Sequence, residues 1–166
     1  MTPQIFQTFA QYNAWMNQNI YNGCAQIPDE QRKSDRGAFF KSIHGTLNHL
    51  LVGDMMWMAR FLSKPIPGLS LNAIIHDSFD DLWAARLKQD AEISAFAAGL
   101  TEEWLGTLFT FRSFAYNREI TNRNWFFVMQ LFNHQTHHRG QVTTLMKQCG
   151  IDPGPTDLPA MPTDIR

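Results

Sequence analysis

The sequence has little cysteine and almost no surplus charge, and these shortages exclude several classes of protein. Its two cysteines, Cys24 and Cys149, stand far apart and form no CxxC pair, which argues against a disulfide framework and against a thiolate zinc site. The formal net charge of −1 provides no basic face for phosphates, so we expect no nucleic-acid partner. No apolar run approaches the ~18 residues needed to cross a bilayer, and the N-terminus lacks a signal-peptide pattern. We therefore expect a cytoplasmic protein without membrane contact.

Internal repeats, low-complexity tracts and long charge blocks are also lacking. The 166 residues fall in the size range of one domain, and 44% hydrophobic and 13% aromatic residues are enough to fill its core. The sequence therefore predicts a single domain over residues 1–166.

Proline, glycine and helix-capping residues divide the chain into four long segments with helical spacing of apolar residues. The predicted helices span about residues 3–25, 39–62, 79–98 and 124–149. The charged stretch 28–37 is interpreted as a solvated connection, and a short strand pair is predicted within 107–121. The fold class is therefore an all-α four-helix bundle with a short irregular or β-hairpin insertion before the last helix.

Five of the six histidines fall on the second and fourth predicted helices. A helical wheel places His134 and His138 on the apolar stripe that faces the core, and His137 at the edge of that stripe. Buried imidazoles without partners cost ~1–3 kcal/mol each, and one divalent metal ion satisfies both, since the i,i+4 spacing lets two histidines reach it. The alternative is that they are core histidines bonded to carbonyls or water. Glutamine follows His134, so the HExxH motif of metalloproteases is missing.

A third ligand has to come from another helix, and the second helix offers His44 and His49. Small residues surround His49 on the wheel and leave room for an ion, whereas His44 shares its face with large apolar side chains. We therefore favour His49 and interpret His44 as packed or capped. His76 lies in a predicted loop and is interpreted as a surface residue.

Three other polar residues lie near the histidines in sequence, and their wheel positions indicate what each one contacts. Arg139 either holds a substrate carboxylate or forms a surface or inter-helix ion pair. Asp54 is a candidate outer acceptor for a metal-binding histidine, but it lies far round its helix from His49, which favours a role in capping or bonding another helix. Gln141 lies on the inner stripe, where it can contact the site.

With these motifs in view, the sequence resembles the DinB family, also described as DinB/YfiT-like metalloenzymes. The resemblance rests on Thr46–Trp57, on Asn133–Gln141 with its HxxxHHRGQ pattern, and on Gly150–Leu158, and it covers essentially the whole chain. It implies a four-helix bundle, a three-histidine metal site between helices and frequent homodimerisation. Carried over residue by residue, the family's metal ligands fall on His49, His134 and His138.

Three imidazoles leave an open coordination position, which is typical of catalytic rather than structural zinc sites. A divalent ion there lowers the pKa of water toward ~7 or deprotonates a thiol. Zinc or nickel suits imidazole ligands, and manganese or iron stays open. The resemblance implies an S-transferase or hydrolase that activates a thiol or water, with a small-molecule substrate or thiol cofactor. The alternative is a non-catalytic metal-binding or small-molecule-binding bundle.

Overall fold

The computed structural model describes residues 2–113 and 116–165. The elements follow in the order α1 (Pro3–Ala25), α2 (Asp29–Lys33), α3 (Ile43–Phe61), α4 (Phe79–Ala98), α5 (Glu102–Gly106), β1 (Leu108–Ser113), β2 (Arg118–Arg123) and α6 (Asn124–Gln148), before two 3-10 turns at Leu158–Ala160 and Thr163–Ile165. The four long helices and the antiparallel hairpin before the last of them confirm the predicted fold class.

Local capping explains where the helices begin. Pro3 occupies the first turn of α1, and the Ser78 hydroxyl accepts a hydrogen bond from the backbone N–H of Asp81 at the start of α4. The predicted start of the second long helix near residue 39 is wrong. The helix begins at Ile43, because Lys41 has a left-handed backbone (φ 66°) and the Ser42 hydroxyl caps the next turn.

The charged stretch 28–37 is largely exposed, as predicted for a solvated connection, but it contains the short helix α2, which was not predicted. Asp29 lies at the N-terminus of α2 and pairs with Arg32 (3.1 Å) and Lys33 (2.9 Å) in its last turn. Acid at the start and base at the end of a helix favour its dipole, and i,i+3 and i,i+4 pairs add to this. Charge patterning therefore folds a segment that composition alone assigns to a loop.

Contacts between the long helices show in which direction each helix runs. The helices α1 and α6 run parallel to each other, whereas α3 and α4 run in the opposite direction. The contacts that show this are Phe9–Phe132 and Asn13–Arg139 for α1 with α6, Asn17–Asp90 and Tyr21–Phe79 for α1 with α4, and Trp57–Phe127 and His49–His138 for α3 with α6. The order is therefore up, down, down, up, and the long connection 62–78 carries the chain from α3 to α4.

Apolar packing and the C-terminal segment complete the fold. The hairpin lays Phe109 and Phe111 against Phe127 of α6, with ring centroids 5.8 and 5.3 Å apart. Near the C-terminus, the Tyr12 hydroxyl donates to the carbonyl of Thr156 (2.5 Å), and Met161 is buried in the core. The C-terminal segment is therefore held against the bundle at these two points. Within residues 2–113 and 116–165, no helix is both long and apolar enough to traverse a bilayer.

Candidate metal centre

Three histidines meet between α3 and α6. His49 Nε2 lies 3.1 Å from His134 Nε2 and 3.2 Å from His138 Nε2, and all three ligand atoms lie within 4.8 Å of one another. The i,i+4 spacing places His134 and His138 one turn apart on α6, and His49 faces them from α3. The structure thus brings together the three residues selected by sequence; that they bind a metal ion stays a prediction.

Hydrogen bonds to the far side of two rings determine which nitrogen carries the proton. His49 Nδ1 lies 2.7 Å from the carbonyl oxygen of Leu71, and because a carbonyl can only accept, Nδ1 donates. His138 Nδ1 likewise donates to Gln141 Oε1 at 2.8 Å. In the neutral rings both Nε2 atoms are therefore unprotonated, with their lone pairs directed at the shared point.

Burial keeps these rings neutral at pH 7. It lowers the pKa of His49 to about 4, against the hydrogen bond to Leu71, and lowers the pKa of His134 to about 3. Burial also lowers the pKa of His138. Neutral imidazoles with converging lone pairs repel one another unless a cation lies between them, so the donor set fits a metal ion.

The spacing of the nitrogen atoms fits such an ion as well. With bonds of ~2.1 Å, ligand nitrogens lie ~3.4 Å apart in a tetrahedral site and ~3.0 Å apart in an octahedral one. The observed separations of 3.1 and 3.2 Å lie between these values. His49 therefore lies at the distance from each of the other two rings that a shared ion requires.

Two glycines on α3 allow the close approach. A Cβ on Gly53 would lie 2.9 Å from His134 Cε1, and one on Gly45 would collide with the carbonyl oxygen of Phe40. The small residues around His49 led to its selection on the ground that they leave room for an ion. In the structure that room is taken by the ring of His134 and by the backbone of Phe40, so the reason differs although the residue is the same.

Phe40 is a part of the site that sequence reasoning missed. Its ring stacks on His49 with centroids 3.7 Å apart and planes 15° apart, and its edge meets His138 at 5.5 Å. The sequence analysis placed Phe40 inside a helix, where this contact is not expected. The signal that could have found it is Ser42, a good N-cap residue that moves Phe40 into the preceding loop.

Asn48 holds the other loop of the site and was also missed. Its Oδ1 accepts from the backbone N–H groups of Ile75 and His76, both at 3.0 Å, and its Nδ2 donates to the His76 carbonyl at 3.1 Å. These bonds fix the connection that supplies the Leu71 carbonyl to His49. Nothing in the periodicity of α3 distinguishes Asn48 from other polar helix residues.

The remaining histidines lie outside the cluster. His44 is buried, and its Nε2 donates to the carbonyl of His76 at 2.8 Å, which agrees with the packed or capped interpretation. His137 is exposed at the edge of α6 beside Gln141. His76 is half-buried and takes part through its backbone, not as the surface side chain that was expected.

Arg139 and Asp54 belong to a buried polar network rather than to the histidine cluster. Arg139 donates to the amide oxygens of Asn13 on α1 and of Gln135 on its own helix, so its inter-helix partner is an amide and not the predicted acid. Asp54 accepts from Arg86 on α4 at 2.6 Å and from Gln135 on α6, which confirms that it bonds other helices. Burial raises the pKa of Asp54 to about 6, against the lowering effect of Arg86.

The same network extends to α1 through Asp90. Arg86 pairs with Asp90 at 2.9 Å, and Asn17 donates to Asp90 at 2.9 Å. All four long helices therefore meet at this network. It adjoins the histidine cluster on α6, where Gln135 follows His134 and Arg139 follows His138. The sequence analysis did not single out Arg86 or Asp90, because their mutual proximity depends on the packing of α3 against α4.

Comparison with known proteins shows the family and agrees with the fold. Protein DinB of Bacillus subtilis (strain 168) is 25% identical over 158 residues, which are 89% of this chain and 87% of that protein. The crystal structure of a DinB-like protein from Bacillus cereus ATCC 10987 shares the fold, with a TM-score of 0.62 and 23% identity over 89% of this chain and 94% of the other. The model of the DinB family matches residues 1–164, and the chain therefore belongs to the DinB family.

Proposed function

We propose that this protein is a metal-dependent enzyme of the S-transferase or hydrolase type, in which His49, His134 and His138 hold one divalent ion. The observation that carries the proposal is the convergence of three Nε2 atoms, two of them fixed as acceptors by hydrogen bonds on the far side of the ring. When bound, such an ion lowers the pKa of a water or thiol and so provides a nucleophile near neutral pH.

The surrounding residues have separate tasks in this proposal. The Leu71 carbonyl and Gln141 orient two of the imidazoles and increase their basicity, as outer partners of metal-binding histidines do. Phe40 covers one face of His49 and excludes water from it. Among the described residues no cysteine or carboxylate joins the three histidines, which supports an ion with a position left for substrate.

We propose zinc or nickel as the ion. Neutral imidazoles suit both metals, whereas oxygen-rich sites suit magnesium and calcium. The nitrogen separations of 3.1 and 3.2 Å support either a four-coordinate or a six-coordinate ion.

A non-catalytic metal-binding bundle is the second candidate, and one observation favours it. Asp54, the acid on α3 closest in sequence to His49, is engaged with Arg86 and Gln135, so it does not serve as a free base for a substrate. Under this alternative the ion is retained but no thiol or water attacks a substrate.

The metal content of three proteins tests the metal-binding proposal. We expect about one divalent ion per chain in the purified protein by plasma mass spectrometry, and loss of most of it in His134→Ala. The matched control is His137→Ala, which removes an exposed imidazole from the same helix and is expected to retain the ion. Equal metal content in His134→Ala and the control would contradict the site.

Turnover separates the two candidates once the ion is established. The metal-loaded protein is incubated with a panel of low-molecular-weight thiols and electrophiles, and product is followed by mass spectrometry. Product formation that disappears in His134→Ala supports the enzyme, whereas full metal content without any product supports the non-catalytic bundle.

A further inference from the structure

A cavity of about 410 Å³ lies beside the histidine cluster, between the loop before α3 and the connection after it. This volume is within the range of ~300–1,000 Å³ that is usual for small-molecule sites. Phe39, Phe40 and Ile74 contribute its apolar surface. Since the Phe40 ring also stacks on His49, one side chain borders both the cavity and the candidate metal centre.

Four charged side chains line this cavity, and two of them are already paired. Lys33 forms ion pairs with Asp77 at 3.2 Å and with Asp29 at 2.9 Å. Asp35 and Lys41 have no ion-pair partner within residues 2–113 and 116–165. The cavity therefore presents one free carboxylate and one free ammonium group, and its net charge is zero.

Backbone hydrogen bonds fix the loop that carries these two residues. The Lys41 N–H donates to the Ala38 carbonyl at 2.7 Å, and the Lys41 carbonyl accepts from the Arg36 N–H at 2.8 Å. Asp35 Oδ1 accepts from the Gly37 N–H at 2.9 Å. Both residues thus belong to one hydrogen-bonded loop, and Lys41 keeps a left-handed backbone that lysine rarely adopts.

His44 also lines the cavity, and one of its ring nitrogens is a buried acceptor. Because its Nε2 donates to the His76 carbonyl, its Nδ1 carries no proton. This Nδ1 is buried and has no hydrogen-bond partner in the part of the chain that the structure describes. A buried acceptor of this kind is stabilised by a ligand that brings a donor.

We propose that the cavity binds a small zwitterionic molecule of the amino-acid class. Its ammonium group pairs with Asp35, its carboxylate pairs with Lys41, and its apolar side chain covers Phe39, of which 84% is exposed. A donor on the ligand reaches His44. The inference deepens the proposed function: that the bound molecule is the substrate or the thiol of the metal centre rests on that proposal.

Binding itself is tested on the metal-free protein with three probes that differ only in charge. L-phenylalanine carries both charges, phenethylamine lacks the carboxylate and 3-phenylpropionate lacks the ammonium group. Titrations followed by ¹H–¹⁵N NMR spectra report both the dissociation constant and the location. We expect saturable shifts in residues 33–45 and 72–77, and a dissociation constant for phenylalanine three- to tenfold below those of both analogues.

Two variants assign the charges. Lys41→Gly removes the ammonium group and retains the backbone, because glycine readily adopts its φ of 66°. This variant is expected to weaken the binding of phenylalanine three- to tenfold and to leave the binding of phenethylamine unchanged. Asp35→Asn retains an Oδ1 acceptor for the Gly37 N–H. It is expected to weaken the binding of phenylalanine and to leave the binding of 3-phenylpropionate unchanged.

Matched controls and contrary outcomes complete the test. Lys88→Ala and Glu92→Gln change exposed charges in the middle of α4, on residues that do not line the cavity, and are expected to change no dissociation constant. The inference is overturned by the absence of saturable shifts in the cavity loops, by equal binding of all three probes, or by binding that Lys41→Gly and Asp35→Asn leave unchanged. Failure of the metal-binding proposal would be seen in a different experiment, as unchanged metal content in His134→Ala.

Discussion

At the scale of single residues, His49 and His138 are held through Nδ1, so their rings cannot turn without losing a hydrogen bond. His134 has no such restraint, since its Nδ1 is buried without a hydrogen-bond partner among the described residues. Its ring is positioned by packing, above all by the absence of a side chain on Gly53. Gly53 is therefore the residue through which the geometry of the site is most easily disturbed.

Gly53→Ala is predicted to weaken metal binding by about tenfold, because the new methyl group would lie only 2.9 Å from His134 Cε1 and displaces that ring. Competition titration with a chromogenic chelator measures the affinity. Gly140→Ala is the control: it meets no atom within 4 Å, and we expect unchanged affinity and slightly greater stability. Equal affinities of the two variants would contradict the packing role of Gly53.

The sequence predicted which histidines converge but not what surrounds them. His134 and His138 share a face of one helix, which follows from the helical repeat alone. His49 was chosen because its neighbours on the helix are small, and two of these neighbours, Gly45 and Gly53, allow Phe40 and His134 to approach the helix closely. Phe40 and the Leu71 carbonyl lie in loops, where no periodicity relates sequence position to direction. The Ser42 cap indicates that Phe40 precedes the helix, but it does not predict the contact with His49.

At the scale of helices and strands, the polar network determines how the four long helices fit together. Asp54 and Arg86 are fully buried, at 0% and 2% exposure, and they join α3 to α4. Taking two charges out of water is costly, so the pair is tolerated because each group has several partners. Removing one partner leaves the other charge buried and less well compensated.

Asp54→Asn is therefore predicted to lower the free energy of unfolding by about 3 kcal/mol. Urea denaturation measures the change. Asp80→Asn, an exposed acid in the first turn of α4, is the control and is expected to cost less than about 0.5 kcal/mol. A cost below about 1 kcal/mol for Asp54→Asn would show that the pair does not stabilise the bundle.

The long helices were predictable because apolar spacing and caps agree along α1, α4 and α6. The boundary of α3 was missed, since the apolar residues Phe39 and Phe40 continue its pattern although Lys41 and Ser42 interrupt the helix. The short α2 depends on local charge pairs, which a reading of hydrophobic periodicity does not weigh.

At the scale of the whole molecule, burial changes the balance of bound protons. Lowered pKa values are found at His44, His49, His134 and His138, and raised values at Asp54 and Asp90. Below pH 6.5 the unfolded chain binds protons at the histidines that the folded chain does not, so acid favours unfolding. The two carboxyls act in the opposite direction, because the folded chain binds their protons first.

Because the effect of the histidines, above all His49 and His134, exceeds that of the carboxyls, the metal-free protein is predicted to lose about 2–4 kcal/mol of stability between pH 7 and pH 5. Urea denaturation at both pH values, after treatment with chelator, measures this loss. His134→Ala removes one of these histidines and is expected to show a smaller loss. A stability that stays constant or rises on acidification would contradict the burial of neutral imidazoles.

The central claim, that three imidazoles from two helices share one ion, is tested most directly by anomalous diffraction from crystals of the zinc-loaded or nickel-loaded protein. The account predicts one anomalous peak per chain, ~2.1 Å from the Nε2 atoms of His49, His134 and His138. A peak on other residues, no peak between these rings, or a fourth protein side chain that completes the coordination would contradict it.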